Sequence, residues 1–344
     1  MNSKLLVISR SQPSKYKSTI DQILSPYSYD VYEAGDSLKN RKLLFIVTLD
    51  DLGYDIPLIE WLKGIGEGEF EGAVAGLIVT SESEYYTKSM AQDFILHANR
   101  KGLAFIGHSV LEVVKDYNNF LTWQKTVEKT LEDIAIQHGH DLIERLCNFE
   151  LKTKEHLLAL HSSSRRTSNT LGLWDMVKED LKPKLNEIHI ENGTVVDCKG
   201  CPFHTCIHFG KNHSCFYGGI MVEEVLPAIE TADAIVWICP NYNDSVSANM
   251  LAVINRLTVL YRQISFHDKA CFAVIVSGNS GSDSVAKQLI GALNINKGFQ
   301  LPPYFSIMAT ANDPLKVLDI EGIRDKAKAM ANKISDFCLN LDVK

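Results

Sequence analysis

Four of the eight cysteines of this chain lie in one short segment, at Cys198, Cys201, Cys206 and Cys215. A Cys-x-x-Cys pair can bind one metal ion through two thiolates, and the two later cysteines can complete a four-thiolate site. Three histidines lie among them and could replace a thiolate: His204, His208 and His213. Thiols that bind no metal and react in redox chemistry fit the same segment. Iron, zinc and metal-free thiols therefore all stay open as interpretations.

A serine-rich segment precedes a helical pattern in the second half of the chain. Residues 161–170 read His-Ser-Ser-Ser-Arg-Arg-Thr-Ser-Asn-Thr. The first turn of a helix has unpaired N–H groups and the positive end of the helix dipole, so it favours a phosphate group. Hydroxyl groups add donors without bulk, and an arginine adds a charge-assisted hydrogen bond. We predict that the residues holding this phosphate are Ser163, Arg165, Ser168, Asn169 and Thr170.

Two more loops contain the residue types that surround a planar, hydrogen-bonding ring. The first supplies Pro240, Asn241, Tyr242 and Ser245, and the second supplies Gly278 and Asn279. An aromatic side chain with amide and hydroxyl donors suits the face and edges of an isoalloxazine ring. Glycine lets backbone amides approach a ligand closely. We predict that these six residues bind the ring and its side chain.

The elements that must position these loops alternate between short apolar runs and amphipathic helical patterns, as in a parallel α/β sheet. Each strand candidate is nearly continuous in apolar residues, as expected when helices cover both faces of a sheet. In the second half the predicted strands are 156–161, 187–190, 234–239, 271–277 and 304–309. The predicted helices there are 170–181, 222–230, 248–261, 284–293 and 323–339. The three loops follow the first, third and fourth strands, at the edge where open α/β sheets bind ligands.

The first half repeats this order, with predicted strands at 4–9, 29–33, 43–48, 75–80 and 104–107. Its predicted helices are 56–64, 86–100 and 120–147. The loop at 9–14 has no Asn-Thr pair at the helix start, and the loop at 48–54 contains Asp50 and Asp51. Two carboxylates would repel an anionic phosphate. We therefore predict two α/β domains, 1–150 without a cofactor and 154–344 with the binding loops, joined by the charged segment 150–154.

Length and charge exclude several classes of protein. A chain of 344 residues is natural for two domains, and its net charge of −7 argues against nucleic-acid binding. The apolar run at 5–8 is too short for a signal peptide, and no apolar stretch reaches the roughly 18 residues that cross a bilayer. We expect a soluble cytoplasmic protein without a membrane partner, in which cysteines are thiols, metal ligands or redox groups.

The three loops together resemble the NADPH-dependent FMN reductase and iron–sulfur flavoprotein branch of the flavodoxin-like superfamily. Residues 162–170 align with the first loop of the family, and Ser162 stands where the family has glycine. Residues 239–248 match the second loop, although Leu251 stands where the family has lysine. The resemblance implies two tandem flavodoxin-like three-layer (αβα) domains with parallel five-stranded sheets, the first degenerate. Iron–sulfur flavoproteins of this branch have a compact run of four cysteines at this position, which supplies a [4Fe–4S] cluster near the flavin. The resemblance therefore implies such a cluster as one interpretation of the cysteine segment, in which the cysteines are spaced more loosely.

The implied function is an FMN-dependent NAD(P)H oxidoreductase that passes electrons from NADPH or NADH to a flavin, a quinone or a similar acceptor. In such chemistry the cofactor carries out the difficult step, so no side chain is predicted to be catalytic. The alternative is a flavodoxin-like or iron–sulfur electron carrier that serves a redox protein. The resemblance further implies a wall over the flavin, which is supplied either by the second copy in a homodimer or by the first domain as a built-in partner.

Overall fold

The computed structural model describes residues 4–12, 14–150, 155–163, 166–191 and 193–339. The chain divides into two compact units, Met1–Glu150 and Leu151–Lys344. The expected linker residues 151–154 and the predicted phosphate ligand Arg165 lie outside the described residues.

The first unit contains a five-stranded parallel sheet. Its strands are β1 (Leu5–Ser9), β2 (Tyr29–Val31), β3 (Lys42–Thr48), β4 (Val74–Ser81) and β5 (Ala104–Val114). They lie in the order β2-β1-β3-β4-β5, and every neighbouring pair is parallel. Its helices are α1 (Lys17–Leu24), α2 (Ile56–Gly64), α3 (Thr87–Asn99), α4 (Leu121–Gln124) and α5 (Leu131–Cys147).

The second unit has a sheet of the same kind. Its strands are β6 (His156–His161), β7 (Lys184–His189), β8 (Ala234–Pro240), β9 (Ala270–Ser277) and β10 (Ser306–Thr310). All pairs are parallel, in the order β10-β9-β8-β6-β7. Its helices are α6 (Asn169–Lys178), α7 (Phe203–Gly210), α8 (Leu226–Thr231), α9 (Ala248–Arg256), α10 (Thr258–Tyr261), α11 (Ser282–Leu289) and α12 (Ile323–Leu339).

Counted from the first strand of each unit, both sheets have the strand order 2-1-3-4-5, which is that of flavodoxin. Along β8, Ala234, Val236 and Ile238 belong to the core beneath α6 and α12. Ile235 and Trp237 point to the opposite face, because side chains alternate along a strand, and they are buried as well. Helices therefore cover both faces of the sheet. The predicted fold, two tandem flavodoxin-like domains, is confirmed.

Several elements differ from the sequence-based expectation. Helix α1 was not predicted, and the helix expected over 248–261 is two helices, α9 and α10. The single helix expected over 120–147 is two helices, because Thr130 begins α5 with a capping box in which its hydroxyl accepts from the Asp133 N–H. Strand β5 continues beyond its predicted end at Gly107, through a register shift and a left-handed His108. Helix α7 lies in the cysteine segment, where no helix was expected. In the part of the chain that the structure describes, no helix is long and apolar enough to cross a membrane.

Candidate functional site

A cavity of ≈ 710 Å³ lies at the carboxyl edge of the second sheet. Loops that follow β6, β8, β9 and β10 surround it, because parallel strands direct their carboxyl ends to one edge of the sheet. Its size lies within the range of small-molecule and cofactor sites. The described residues that line it are Ser162, Ser163, Thr167, Ser168, Asn169, Thr170, Pro240, Asn241, Tyr242, Ser247, Ala248, Asn249, Val276, Ser277, Gly278, Ala311, Asn312 and Pro314.

The amino end of α6 forms one wall of this cavity. Ser168 caps the helix by accepting a hydrogen bond from the Leu171 N–H at 3.3 Å, and its own hydroxyl donates to Ser163 Oγ at 3.2 Å. Ser162 and Ser247 share a further hydrogen bond of 2.9 Å between their hydroxyls. The wall therefore presents hydroxyl groups and the positive end of a helix, which together favour a phosphate.

The side chain of Asn169 lies in the cavity wall and is held by hydrogen bonds within the protein. Its amide donates to the carbonyl oxygens of Ala311 and Asp313, at 3.0 and 2.9 Å. Its oxygen accepts from the Val317 N–H at 3.0 Å. These three bonds occupy the side chain and attach the loop after β10 to the start of α6. The side chain of Asn169 thus positions the cavity wall.

The loop after β8 is a tight hairpin at the mouth of the cavity. Tyr242 and Ser245 exchange two backbone hydrogen bonds of 3.2 Å, and the two residues between them, Asn243 and Asp244, have left-handed backbones. Consecutive left-handed residues are typical of a two-residue hairpin turn of type I′. The turn leaves Tyr242 59% exposed over the cavity. Ser245 lies outside the lining, because its hydroxyl donates to Gln288 Oε1 at 3.1 Å.

Asn241 joins the loop after β8 to the loop after β9. Its amide donates to Ser277 Oγ at 3.2 Å and to the Ser280 carbonyl oxygen at 2.8 Å. Its side-chain oxygen Oδ1 is buried, and within the described residues it has no hydrogen-bond partner. A buried carbonyl oxygen without a donor carries a free-energy cost, so a ligand N–H at this position would be stabilising.

Gly278 lets the loop after β9 come close to the loop after β10. A Cβ atom at this glycine would lie 3.1 Å from Asn312 Oδ1, which is closer than most such contacts. The predicted neighbour Asn279 is not among the residues that line the cavity. The loop containing Ala311, Asn312 and Pro314 was missed by the sequence reasoning. Its signal was its place directly after the fifth strand, at the same sheet edge as the other loops.

Residues 156–313 match the family model of NADPH-dependent FMN reductase. The resemblance of the loops is confirmed over this region, which we call the FMN reductase region. The predicted kind of enzyme, an NAD(P)H-dependent flavin oxidoreductase, is confirmed with it. A search of curated proteins gives no significant match.

Solved structures give distant likenesses. One is RosB with a bound 8-demethyl-8-formylriboflavin-5'-phosphate intermediate, at 15% identity, 54% of this chain, 79% of that chain and a TM-score of 0.43. A second is NAD(P)H:quinone oxidoreductase from Methanothermobacter marburgensis, at 14% identity, 56% and 98% coverage and a TM-score of 0.40. A third is an FMN-dependent NADH-azoreductase from Bacillus anthracis str. Ames Ancestor, at 11% identity, 52% and 99% coverage and a TM-score of 0.36.

The residues of the FMN reductase region fit FMN in three respects. The start of α6 offers a phosphate cradle, Asn241 Oδ1 lacks a donor, and Gly278 leaves space that a side chain would fill. The described lining residues are all neutral, so no carboxylate opposes a phosphate dianion.

Two stacked histidines, the buried His161 and the half-buried His189, lie beside the start of α6. His161 stacks on His189 with 4.7 Å between ring centroids, and its Nε2 is 3.7 Å from Glu187 Oε1. The other Glu187 oxygen accepts from Trp174 Nε1 at 2.7 Å and pairs with Lys178 at 3.2 Å, both on α6. Burial lowers the pKa of His161, and the nearby Glu187 opposes that shift. Its lowered pKa favours the neutral imidazole at the start of the serine-rich loop.

The four clustered cysteines line a separate, small cavity of ≈ 30 Å³. Partial burial raises the pKa of the Tyr217 phenol, and the Cys201, Cys215 and Cys198 thiols near it add to that rise. In the chain as described, no three His, Cys, Asp or Glu residues come together as ligands of one metal ion. The thiols share a cavity without forming such a ligand set in the described residues, so we assign no chemistry to a metal there, and iron, zinc and metal-free thiols stay predictions.

The corresponding loops of the first unit are closed by their own hydrogen bonds. The Ser11 hydroxyl donates to Asp55 Oδ1 at 2.5 Å. Asp50 Oδ1 accepts from the Leu52 and Tyr54 N–H groups, both at 2.9 Å. Polar groups that could contact a ligand at this edge are thus used to hold the loops.

Proposed function

We propose that the FMN reductase region binds one FMN and that the chain uses it to oxidise NADPH or NADH and reduce a flavin, a quinone or a similar small acceptor. The observation that carries this proposal is the neutral four-loop cavity with the amino end of α6 in its wall. FMN supplies the hydride-accepting chemistry. The chain binds and orients the cofactor.

Each wall has its own part in binding. Ser163, Ser168 and Thr170, together with the backbone N–H groups at the start of α6, hold the phosphate. Asn241 and Gly278 lie at the ring's hydrogen-bonding edge, where Oδ1 of Asn241 needs a donor. Tyr242 covers a ring face from the exposed hairpin. We include Arg165 among the phosphate ligands from the resemblance.

The test measures FMN and riboflavin binding separately, by quenching of flavin fluorescence. Ser163→Ala should weaken FMN binding about tenfold, or 1.4 kcal/mol, and leave riboflavin binding unchanged. Ser18→Ala, at an exposed position of α1, is the matched control. A chain that neither contains a flavin when purified nor quenches FMN fluorescence would refute the proposal. Steady-state oxidation of NADPH and NADH with flavin and quinone acceptors then ranks the substrates.

We further propose that the first unit holds no flavin, because its equivalent loops are closed by Asp50 and Asp55. A ratio of one FMN per chain supports this, and a ratio of two contradicts it. The resemblance also implies a homodimer, which light scattering of the purified chain tests.

The second candidate function is electron transfer to a protein partner. It is favoured by helix α9, because this helix connects the proposed FMN site to the thiols. Asn249 lines the cavity of the proposed FMN site, and Asn255 lines the small cavity that contains the four clustered cysteines. Six residues at 1.5 Å each separate these positions by about 9 Å along the helix axis. A flavin-loaded chain that turns over neither nicotinamide, but is reduced by a redox protein, would favour the carrier.

A further inference from the structure

The first unit contains a second cavity, of ≈ 600 Å³, that the proposed function does not use. It lies between α2 and α3. Helix α2 contributes Ile59, Leu62 and Lys63, and α3 contributes residues spaced three and four apart, which share one helix face. The remaining described lining residues are Leu52, Gly53, Tyr54, Tyr86, Ser89, Met90, Asp93, Phe94, His97 and Lys101.

The cavity has a buried apolar floor and an exposed aromatic rim. Leu62, Met90 and Phe94 form the floor and are each at most 5% exposed. Tyr54 and Tyr86 at the rim are half exposed, at 50% and 54%. Its volume and its mainly apolar lining with a few polar groups are typical of small-molecule sites.

The rim is held in place before any ligand binds. Asp50 fixes the loop below Tyr54 through two backbone N–H groups. Gly53 lies so close to Tyr86 that a Cβ atom on it would be 2.3 Å from the Tyr86 Cβ. Tyr86 itself has a left-handed backbone, with φ of 72°. A bulky residue in that region is strained, and such strain persists only where the surroundings enforce it.

The far end of the cavity is cationic. Lys63 and His97 lie in the last turns of α2 and α3, and Lys101 follows α3. With Asp93, the charged residues of the lining sum to +1 when His97 is neutral. Lys101 also donates to the Ile65 carbonyl oxygen at the end of α2. From Ser89 to His97 the cleft runs about 12 Å along α3, eight residues at 1.5 Å each. An elongated apolar ligand with one negatively charged group at its end would match this lining.

We propose that this cavity is a binding site for a small aromatic acid, with the ring between Tyr54, Tyr86 and Phe94 and the acidic group toward Lys63 and Lys101. The lining has no equivalent of the serine-rich loop of the second unit, and the start of α3 within it is flanked by Tyr86, whose side chain makes no capping hydrogen bond. The ligand class is therefore different from FMN. The proposal does not depend on flavin binding by the second unit.

The probe is 2-naphthoate, with uncharged 2-naphthamide as its matched partner. The full chain is labelled with ¹³C at the methionine methyl groups, and Met90→Leu identifies the Met90 signal. We expect 2-naphthoate to shift that signal saturably, with one site per chain. Lys63→Met should weaken 2-naphthoate binding about tenfold and leave 2-naphthamide binding unchanged.

A cavity-filling variant checks the location. Ser89→Trp should abolish the shift, while Ser18→Trp, an equal change at an exposed position of α1, should preserve it. Ile59→Phe is a second filling variant if Ser89→Trp does not fold. The proposal is overturned if the Met90 signal does not respond, or if the filling variants still bind. It is also overturned if FMN alone shifts Met90, or if protein concentration alone does so, which would assign this face to a second copy.

Discussion

The side-chain amide of Asn169 donates a hydrogen bond of 3.0 Å to the carbonyl oxygen of Ala311, 142 residues away in the chain. This contact joins the start of α6, after the first strand of the second sheet, to the loop after its last strand. The bond thus connects the phosphate wall to a loop that sequence reasoning had not included in the site.

Asn169→Ala should lower the free energy of unfolding by about 1–3 kcal/mol, because two carbonyl oxygens and one N–H lose their partner. FMN affinity should fall as well, since the loop after β10 is released. Urea unfolding and flavin titration measure the two effects. Asn212→Ala, at an exposed turn, should change neither. Unchanged stability of the Asn169 variant would contradict this role.

Gly278→Ala should weaken FMN binding about tenfold with little loss of stability. The added methyl group enters the cavity wall and lies 3.1 Å from Asn312 Oδ1. Flavin fluorescence titration measures the affinity. Gly64→Ala is the matched control, because a Cβ atom there meets nothing within 4 Å. Equal FMN affinity of both variants would exclude Gly278 from the binding site.

Acid should destabilise the fold in part through His161. Because burial lowers its folded-state pKa below its ordinary value of 6.5, the unfolded chain binds more protons in that window. Its contribution to stability is therefore complete above 6.5 and is lost as pH falls through the folded-state pKa. Unfolding free energies of His161→Gln should depend less on pH than those of wild type between about pH 8 and pH 5. Ser18→Ala, which removes no titratable group from an exposed position of α1, should retain the wild-type dependence.

Iodoacetamide should divide the cysteines into two groups. Cys198, the exposed member of the cluster, should react first, followed by Cys201, Cys206 and Cys215. Burial raises the pKa of Cys239 to about 12, so this thiol should stay unmodified in the native chain. Mass spectrometry after brief alkylation measures each site, with the unfolded chain as the control. Early modification of Cys239 would contradict this prediction, because it would show that the carboxyl end of β8 unfolds locally and exposes the thiol.

Asp55→Ala should lower the stability of the first unit by about 1.5–3 kcal/mol. This carboxylate is buried, and it accepts from the Thr48 N–H at 3.0 Å and the Leu58 N–H at 3.1 Å. Asp51→Ala, at an exposed position in the same loop, should change stability by less than about 0.5 kcal/mol. Urea unfolding followed by tryptophan fluorescence compares the two. Equal effects would refute the structural role of Asp55.

The sequence alone determined the fold and the region of the site. Runs such as Ala234–Pro240 are apolar at nearly every position, so both faces of the strand are apolar. A strand of this kind is typical of a parallel sheet that is covered by helices on both faces. The serine-rich loop before α6 and the loops after β8 and β9 were recognisable from sequence. The residue types that start a helix or follow a strand are adjacent in the chain. Local chemistry of this kind can be inferred before the chain is folded.

Only the tertiary structure decided which side chains line the cavity and which hold its walls together. Asn169 and Ser245 look like ligand contacts in sequence, yet their partners, Ala311 and Gln288, lie 142 and 43 residues away. The same holds for the cysteines, whose spacing left iron, zinc and metal-free thiols open. In the part of the chain that the structure describes, their positions around one small cavity bring no three metal-ligating side chains together. Hydrogen bonds and metal ligation depend on distances of a few ångströms between residues far apart in the chain. Sequence spacing does not encode those distances, and packing sets them.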